Sequence, residues 1–497
     1  MSSNKQKLRW DPKTVEIRTK SVEKNLEPLI KQITTIVEFA TRPPRRGYSK
    51  KVHELVKEQG AATHRLVEEG QRIADDYPDM KEYVLDACDE VTMAGDKMEK
   101  GSQEFAYDPC NEQKRATMVR AARALLAAVT RLLCVADMAD VENLLQHIHK
   151  VEGHVKNIYT VDQFKPFFEM FDGYGKDLHQ LLKGAAYRQS DLKNQTFKDD
   201  IAAARSSLQR HSRILYTASK AHLDHPDSSS ALENRDFALN QIDDALSLMS
   251  KAFQGYGEGK HSGEGKGELF QLFEDLLERV DRPSEHFRHT SAQKEIRSLV
   301  EEIAEQSMQL GETLEESKEV RAIIHSECRN MNTTMEALLL KAVNGSSKDI
   351  ELAKGNLKRR CVQLLKYLRN CLANSIADVF LHVEDPLISL MEAAQLGAAE
   401  ETKKRSEEFL RHNAKMLNVS KASCIMSGSP DKMKLVRLCA AKVSQLGEQV
   451  CHAAITTSQH AHSAFAKENM HLIRDMWVCS QYTFTHFHYK NNLIESG

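Results

Sequence analysis

Apolar residues recur along this chain at alternating steps of three and four positions. One such run is Val119, Ala122, Leu126, Val129 and Leu133, and another is Leu357, Cys361, Leu364, Leu368 and Leu372. These steps place apolar side chains on one stripe of an α-helix, as in helices that pack side by side. Strand-like alternation rich in Val, Ile and Thr is hard to find. The pattern predicts an all-α protein built of tandem antiparallel helical bundles.

Proline and glycine mark the breaks between the predicted helices. The 497 residues include only 11 Pro and 22 Gly, and both residues destabilise helix interiors. No proline occurs between Pro109 and Pro166, or between Pro283 and Pro386. The sharpest break is the Gly-rich stretch 255–268, whose composition cannot pack and is typical of a flexible linker. It divides the chain near its midpoint.

Charge and composition exclude several classes of function. The formal net charge is -2 and the sequence pI is about 6.9, so no basic excess favours nucleic-acid binding. No run of 18 apolar residues predicts a membrane span, and the N-terminus has no apolar core of a secretory signal. The ten cysteines occur without a Cys-x-x-Cys pair and are expected to be reduced thiols. A cytoplasmic protein is therefore expected.

No segment predicts catalysis, a metal site or a cofactor site. Gly259-Lys260 and Gly265-Lys266 lack the spacing and the following Ser or Thr of a phosphate-binding loop. His147 and His149 are two positions apart, so they point to different faces of a helix. No His or Cys spacing matches a known zinc motif. An enzyme remains only as an alternative from another class, and the expected cofactor set is none.

Several long segments resemble the α-catenin family. Residues 10–37 look like its opening helix, 104–141 like its signature N-domain stretch, and 200–227 like a later N-domain helix. Residues 380–396 and 435–477 are similar to the second bundle of its middle, or M, region. The resemblance implies four-helix bundles and a non-enzymatic scaffold at cell–cell (adherens) junctions and the cytoskeleton. The nearest alternatives are an α-catulin-like signalling scaffold and vinculin.

The resemblance also implies a division of the chain. Residues 1–254 correspond to the N-terminal β-catenin-binding or dimerisation domain and 255–268 to the linker. Residues 269–385 correspond to the first M bundle, 386–478 to an incomplete second bundle, and 479–497 to a divergent tail. Because the similarity stops after Trp477, we expect a truncated form that lacks the C-terminal actin-binding bundle, with actin only as an indirect partner.

The resemblance implies that the helix around 119–141 binds β-catenin or a second copy of the chain. The candidate interface residues are Val119, Ala122, Leu126, Val129 and Leu133. A neighbouring edge consists of Met118, Leu125 and Leu132. The pattern alone favours a helix whose two apolar edges are both core, whereas the resemblance favours an interface for the helix as a whole. A homodimer without cadherin association stays open as an alternative.

The resemblance implies a second partner site within residues 320–342, where the family hides a vinculin-binding helix. Its apolar stripe is Ile324, Cys328, Met331, Met335, Leu338 and Leu339. Such a stripe is normally bundle core, so we expect a cryptic site that binds vinculin only after its bundle opens. Met331 and Met335 suit this use because methionine adapts to two different packings.

Overall fold

In a computed structural model, the described residues are 16–41, 50–255, 265–314, 317–381 and 383–490. Regular structure in these ranges consists of fifteen α-helices and two short 3-10 turns. Strand-like pairing there is limited to one isolated bridge between Thr19 and Leu192. Throughout the same ranges, every helix is too short or too polar to cross a membrane. The prediction of an all-α fold is confirmed.

The chain divides into two compact units, the first comprising Met1–Ser212 and Leu239–Gly259. Its helices, two of which continue into the second unit, are α1 (Lys20–Thr41), α2 (Lys50–Asp76), α3 (Lys81–Tyr107), α4 (Glu112–Thr160), α5 (Phe164–Asp191), α6 (Gln195–Asp224) and α7 (Ser229–Gln254). Helices α1, α2 and α3 pack with the N-terminal half of α4 around one apolar core. The C-terminal half of α4 packs with α5.

Helix α4 is 49 residues long and is the longest helix of this unit. It packs against α1, α2, α3 and α5. It begins at an Asn111 cap, whose side chain accepts hydrogen bonds from the backbone N–H groups of Gln113 and Lys114 at 3.0 and 3.2 Å. Asparagine satisfies the otherwise unpaired N–H groups of a first turn in this way. No proline interrupts the helix, so it continues from the α1–α3 bundle to the packing with α5.

The second unit comprises Arg213–Ala238 and Lys260–Gly497. Its further helices are α8 (Glu268–Val280), α9 (Thr290–Thr313), α10 (Lys318–Asn344), α11 (Ser347–Leu381), α12 (Asp385–Gln395), α13 (Ala399–Ile425), α14 (Pro430–Gln459) and α15 (Ala464–Lys490). Helices α8 to α11 form one antiparallel bundle. Helices α12, α13, α14 and α15 form the next, with α11 packing on α13.

The observed units differ from the predicted boundary at residue 254. Residues 213–238, the end of α6 and the start of α7, belong to the second unit. The physical reason is a set of buried polar contacts between this segment and α14 and α15, such as those of Asn234 with Gln449. Sequence similarity follows the order of helices along the chain and carries no information on such contacts.

The predicted tail also differs from the structure. Helix α15 continues without a break to Lys490, so residues 479–490 are helical rather than a separate divergent segment. Trp477, Gln481 and Phe484 are buried at steps of four and three. The Phe484 ring packs on Phe380 of α11 with centroids 5.3 Å apart. A polar Gln at the middle position hides this spacing in the sequence. Residues 491–497 lie outside the described residues.

The end of the Gly-rich stretch is packed rather than free, although residues 256–264 lie outside the described residues. Gly267 immediately precedes α8 and donates its N–H to the Ser427 carbonyl at 2.7 Å. A Cβ at this position would collide with the carbonyl oxygens of Cys424 and Ile425. Glycine is therefore required here by the close approach of α8 to the end of α13.

We expect Gly267→Ala to destabilise the second unit by about 1–3 kcal/mol, because backbone atoms must shift to admit the methyl group. The matched control is Gly265→Ala, since a Cβ at Gly265 meets no heavy atom within 4 Å. Denaturant unfolding of both variants measures the difference. Equal midpoints for the two variants would contradict the required close approach at residue 267.

Candidate functional site

The predicted interface stripe on α4 is divided between core and surface. Ala122 and Val129 are buried, at 0% and 1% exposure. Val119, Leu126 and Leu133 are half-buried and pack against the edge of the core of the α1–α4 bundle. Three of the five predicted residues therefore retain apolar surface that a partner helix can cover.

The neighbouring edge of α4 lies entirely within its own bundle. Met118, Leu125 and Leu132 are at most 2% exposed. This edge forms part of the α1–α4 core. One edge is therefore core and the other is partly half-buried, whereas the apolar pattern alone favoured two core edges.

The half-buried edge of α4 is flanked by positive charge. Arg120 and Arg123 are exposed, and the segment 113–131 contains five basic residues and no acidic one. Arg131 is paired with Glu90 of α3 at 2.6 Å. A partner helix on this edge is therefore favoured when its flanks carry carboxylates.

The predicted stripe on α10 lies wholly in the core of the α8–α11 bundle. Exposure is at most 7% for all six residues, Ile324, Cys328, Met331, Met335, Leu338 and Leu339. No partner can reach these side chains while the bundle is closed. Outside the stripe, α10 exposes Ile323, Leu340 and Val343, at 45%, 63% and 63%. Sequence analysis missed these three, although their apolar character outside the stripe is visible in the sequence.

Polar contacts also hold α10 to its neighbours. The Ser317 side chain caps its first turn by accepting from the Val320 N–H at 3.3 Å. Arg297 of α9 pairs with Glu336 at 2.9 Å. Arg360 of α11 pairs with Glu327 at 3.8 Å. These pairs are exposed and contribute little each, so the apolar stripe supplies most of the attachment.

Buried thiols in this bundle are kept protonated. Burial, and then the nearby Glu327 carboxylate, raises the pKa of Cys328 to about 11. Burial raises the pKa of Cys361 on α11 to about 12. The Cys328 thiol donates to the Ala304 carbonyl of α9 at 3.8 Å. Both thiols are inert while the helices stay together, because thiolate is the reactive form.

The histidine-rich segment of α4 is tied to separate carboxylates. His149 contacts Glu152 at 3.1 Å, and His154 contacts Asp177 of α5 at 2.8 Å. Across the described ranges, His, Cys, Asp and Glu side chains form no group of three arranged to hold a metal ion.

Comparisons with known proteins agree with this architecture. The chain is 37% identical over 483 residues to "Catenin alpha" of Drosophila melanogaster, covering 95% of this chain and 52% of that protein. It is 34% identical over 480 residues to human "Catenin alpha-2", covering 95% and 50%. The chain thus spans about half the length of the curated relatives it matches.

A solved structure of a vinculin homolog from a sponge (phylum Porifera) has a similar fold, with a TM-score of 0.78. That match covers 95% of this chain and 59% of the sponge chain at 17% identity, which bears on the fold alone. The family model described as "Vinculin family" matches residues 16–486. From the helical bundles, the sequence relatives and this match together, the chain belongs to the vinculin family.

Proposed function

We propose that this chain is an adhesion scaffold of the α-catenin type, which links a cadherin–β-catenin complex towards the actin cytoskeleton. The observation that carries the proposal is the similarity to catenin alpha proteins along 95% of the chain. The α1–α4 bundle binds β-catenin, and α10 is a cryptic vinculin-binding helix. The chain acts in the cytoplasm at cell–cell junctions, and it reaches actin indirectly through its partners.

The geometry of α4 supports the β-catenin part of the proposal. Val119, Leu126 and Leu133 are seven residues apart, so their half-buried side chains line up along one side of α4, two helical turns apart. We call these three residues the α4 seam. The seam can accept an amphipathic helix without dismantling the core that Ala122 and Val129 complete. The flanking arginines favour a partner helix with acidic flanks.

We expect Leu126→Asp to reduce β-catenin binding at least about tenfold while the bundle stays folded, since a half-buried charge is tolerated in the free chain but not in an apolar interface. Titration calorimetry with a β-catenin N-terminal fragment measures the affinity, and circular dichroism checks the fold. Ala127→Asp is the matched control, because Ala127 is the next residue and is exposed.

Leu125→Asp separates an interface effect from a folding effect. Leu125 is 1% exposed, so a charge there is expected to unfold the α1–α4 bundle. Leu126→Asp must retain its helical signal for the binding test to count. Undiminished β-catenin affinity of a folded Leu126→Asp chain would show that the α4 seam is not the interface.

The homodimer alternative uses the same seam and is decided by mass measurements. Sedimentation of the chain at increasing concentration, with and without the β-catenin fragment, separates the two. If the proposal holds, the fragment converts any dimer into a one-to-one complex. If the dimer persists and no β-catenin binds, the chain associates with itself and does not link to the cadherin complex through this seam.

A further inference from the structure

A short segment, residues 16–21, attaches the start of α1 to other parts of the first unit. The backbone N–H of Lys193 donates to the Arg18 carbonyl at 3.0 Å. Next to this bond lies the isolated bridge between the segment and the α5–α6 connection. The Arg18 guanidinium donates to the carbonyl of Gln254, the last residue of α7, at 2.9 Å. We call residues 16–21 the strap.

The strap ends at Ser21, which one carboxylate of α5 holds in place. Asp191, the last residue of α5, accepts the Ser21 backbone N–H at 2.9 Å and the Ser21 hydroxyl at 2.5 Å. Because α1 begins at Lys20, the Ser21 N–H is one of the first-turn donors that have no partner within the helix. Asp191 therefore caps α1 from a different helix.

Thr19 offers a second cap for the same turn. Its carbonyl accepts the Glu23 N–H at 3.4 Å, so Thr19 occupies the N-cap position of α1. A threonine there normally accepts a backbone N–H two or three residues further on. The Thr19 hydroxyl is instead buried, at 0% exposure, without a hydrogen-bond partner among the described residues. If the Asp191 contact breaks, Thr19 can accept the Ser21 N–H, so α1 has one cap for an attached start and another for a detached start.

The surroundings of Asp191 are already rich in negative charge. Arg188 of α5 is paired with Asp137 of α4 at 2.5 Å. Burial first, and then the Asp137 and Asp191 carboxylates, raise the pKa of the Asp140 carboxyl above its usual range, while Arg188 opposes them. A further anion beside Asp191 is therefore disfavoured.

Ser21 also lies in a sequence of the kind that basophilic protein kinases select. Arg18 precedes it by three residues and Lys20 by one, and substrate cations of this pattern are matched by carboxylates on the kinase. The same Arg-x-x-Ser spacing precedes Ser49, which lies outside the described residues, and Ser291. The motif alone is therefore weak, and the contact with the end of α5 distinguishes Ser21 from the other matches.

We propose that Ser21 is a phosphorylation site of a basophilic serine kinase, and that the phosphate releases the strap from α5. Local opening of the strap and of the first turn of α1 presents Ser21 to the kinase, since helix ends open at low cost. The γ-phosphoryl group of Mg-ATP is transferred to Ser21 Oγ. The Oγ–P bond forms, the bond between the γ-phosphorus and ADP breaks, and the hydroxyl proton passes to the catalytic carboxylate of the kinase.

The phosphate prevents the strap from closing again. It removes the hydroxyl hydrogen that Asp191 accepts and adds a charge of about -1.5 to -2, so attraction becomes like-charge repulsion. Thr19 then caps the detached start, and the helix N-terminus itself favours the anion. Lys20 moves with the phosphate and Lys193 is exposed, so neither cation offsets the repulsion. These contacts belong to the first unit alone, and the inference does not rest on the proposed function.

Cys134 of α4 reports whether the strap is closed. Its thiol donates to the Glu16 carbonyl at 3.9 Å, and the residue is 8% exposed. Cys88 is buried in the same bundle core, where its thiol donates to the Val67 carbonyl of α2 at 3.8 Å. Maleimide labelling of the two thiols, followed by peptide-resolved mass spectrometry, therefore separates release of the strap from opening of the whole bundle.

The test treats the full chain with Mg-ATP and the catalytic subunit of cyclic-AMP-dependent protein kinase, and peptide mapping locates the phosphate. We expect phosphate on Ser21 and labelling of Cys134 at least about tenfold faster than in the untreated chain, with labelling of Cys88 unchanged. Ser21→Ala is the matched control, because it keeps Ser49 and Ser291 for the kinase. Kinase treatment should leave the labelling rate of Cys134 in this variant unchanged.

Asp191→Asn tests the cause of the release. The amide keeps an acceptor for the Ser21 N–H, removes the charge and can donate to a phosphate. In this variant, phosphorylation of Ser21 should speed labelling of Cys134 by less than about threefold. Circular dichroism checks the fold of each variant.

Four results would overturn the proposal. They are no phosphate on Ser21, unchanged or slower labelling of Cys134 in the phosphorylated parent chain, an equal increase for Cys88, and an undiminished increase in the folded Asp191→Asn chain. No measurement uses β-catenin or vinculin, so a failure of the proposed function leaves this test intact.

Discussion

The isolated α10 peptide, residues 318–344, is expected to bind a vinculin head domain at least about 100-fold more tightly than the intact chain. The stripe from Ile324 to Leu339 is core in the intact chain, so binding there must first meet the cost of opening the bundle. Folded domains are stable by about 5–15 kcal/mol, and each tenfold in affinity corresponds to about 1.4 kcal/mol. The expected difference in affinity between peptide and intact chain therefore requires less free energy than unfolding of the whole bundle, so partial opening is enough. Fluorescence anisotropy of labelled peptide, with intact chain as competitor, measures it.

Two variants of the α10 peptide test whether binding depends on its helical apolar stripe. Met335→Pro should abolish binding, because proline in a helix interior costs roughly 3 kcal/mol or more. Thr333→Ala should bind as the parent peptide does, since Thr333 is exposed on the opposite face. Equal affinities of the peptide and the intact chain would mean that α10 is constitutively available, and the cryptic-site proposal would fail.

Most of the fold could be predicted from the spacing of apolar residues along the chain. Alternating steps of three and four identified the buried stripe of α10 residue by residue, because a four-helix bundle buries one continuous face of each helix. The same argument located the core residues of α11, such as Leu357, Leu364 and Leu368, all at 0% exposure. Proline and glycine breaks gave the approximate ends of these helices.

The spacing of apolar residues did not predict how deeply each residue of a stripe is buried. Ala122 and Leu126 occupy the same predicted edge of α4, yet the first is fully buried and the second half-buried. The difference depends on where α1, α2 and α3 lie around α4, which no periodicity of α4 itself contains. Only the structure shows which candidate residues of α4 keep exposed apolar surface, and these are Val119, Leu126 and Leu133.

Polar residues in core positions were invisible to the sequence reasoning. Asn234, Asn469 and Gln481 interrupt apolar patterns, so they read as solvent-facing or as a loss of helical pattern. The burial of Asn234 and Asn469 is explained by their hydrogen bond to each other, between α7 and α15. Gln481 instead donates to Thr485 of its own helix at 2.6 Å. A polar residue at a position where the heptad demands an apolar one is the one signal that could have found them.

Buried thiols offer a direct measure of how often the α8–α11 bundle opens. At pH 8, Cys328 in the intact chain is expected to react with a maleimide at least about 100-fold more slowly than exposed Cys110. A thiol with a pKa of about 11 is thiolate in only about one molecule in a thousand at that pH, and burial excludes the reagent as well. Peptide-resolved mass spectrometry follows each cysteine in one reaction, so Cys110 is the internal reference.

The pH dependence of this labelling has a definite sign. Because the folded bundle raises the pKa of Cys328 from 9.0 to about 11, and that of Cys361 from 9.0 to about 12, both thiols stabilise the closed state fully below pH 9. That stabilisation is lost as the pH rises towards the folded values. Raising the pH from about 8 to about 10 should therefore speed labelling of Cys328 more than labelling of Cys110. Labelling of Cys328 within about tenfold of Cys110 at pH 8 would mean that the bundle opens freely, and α10 would then need no tension to meet a partner.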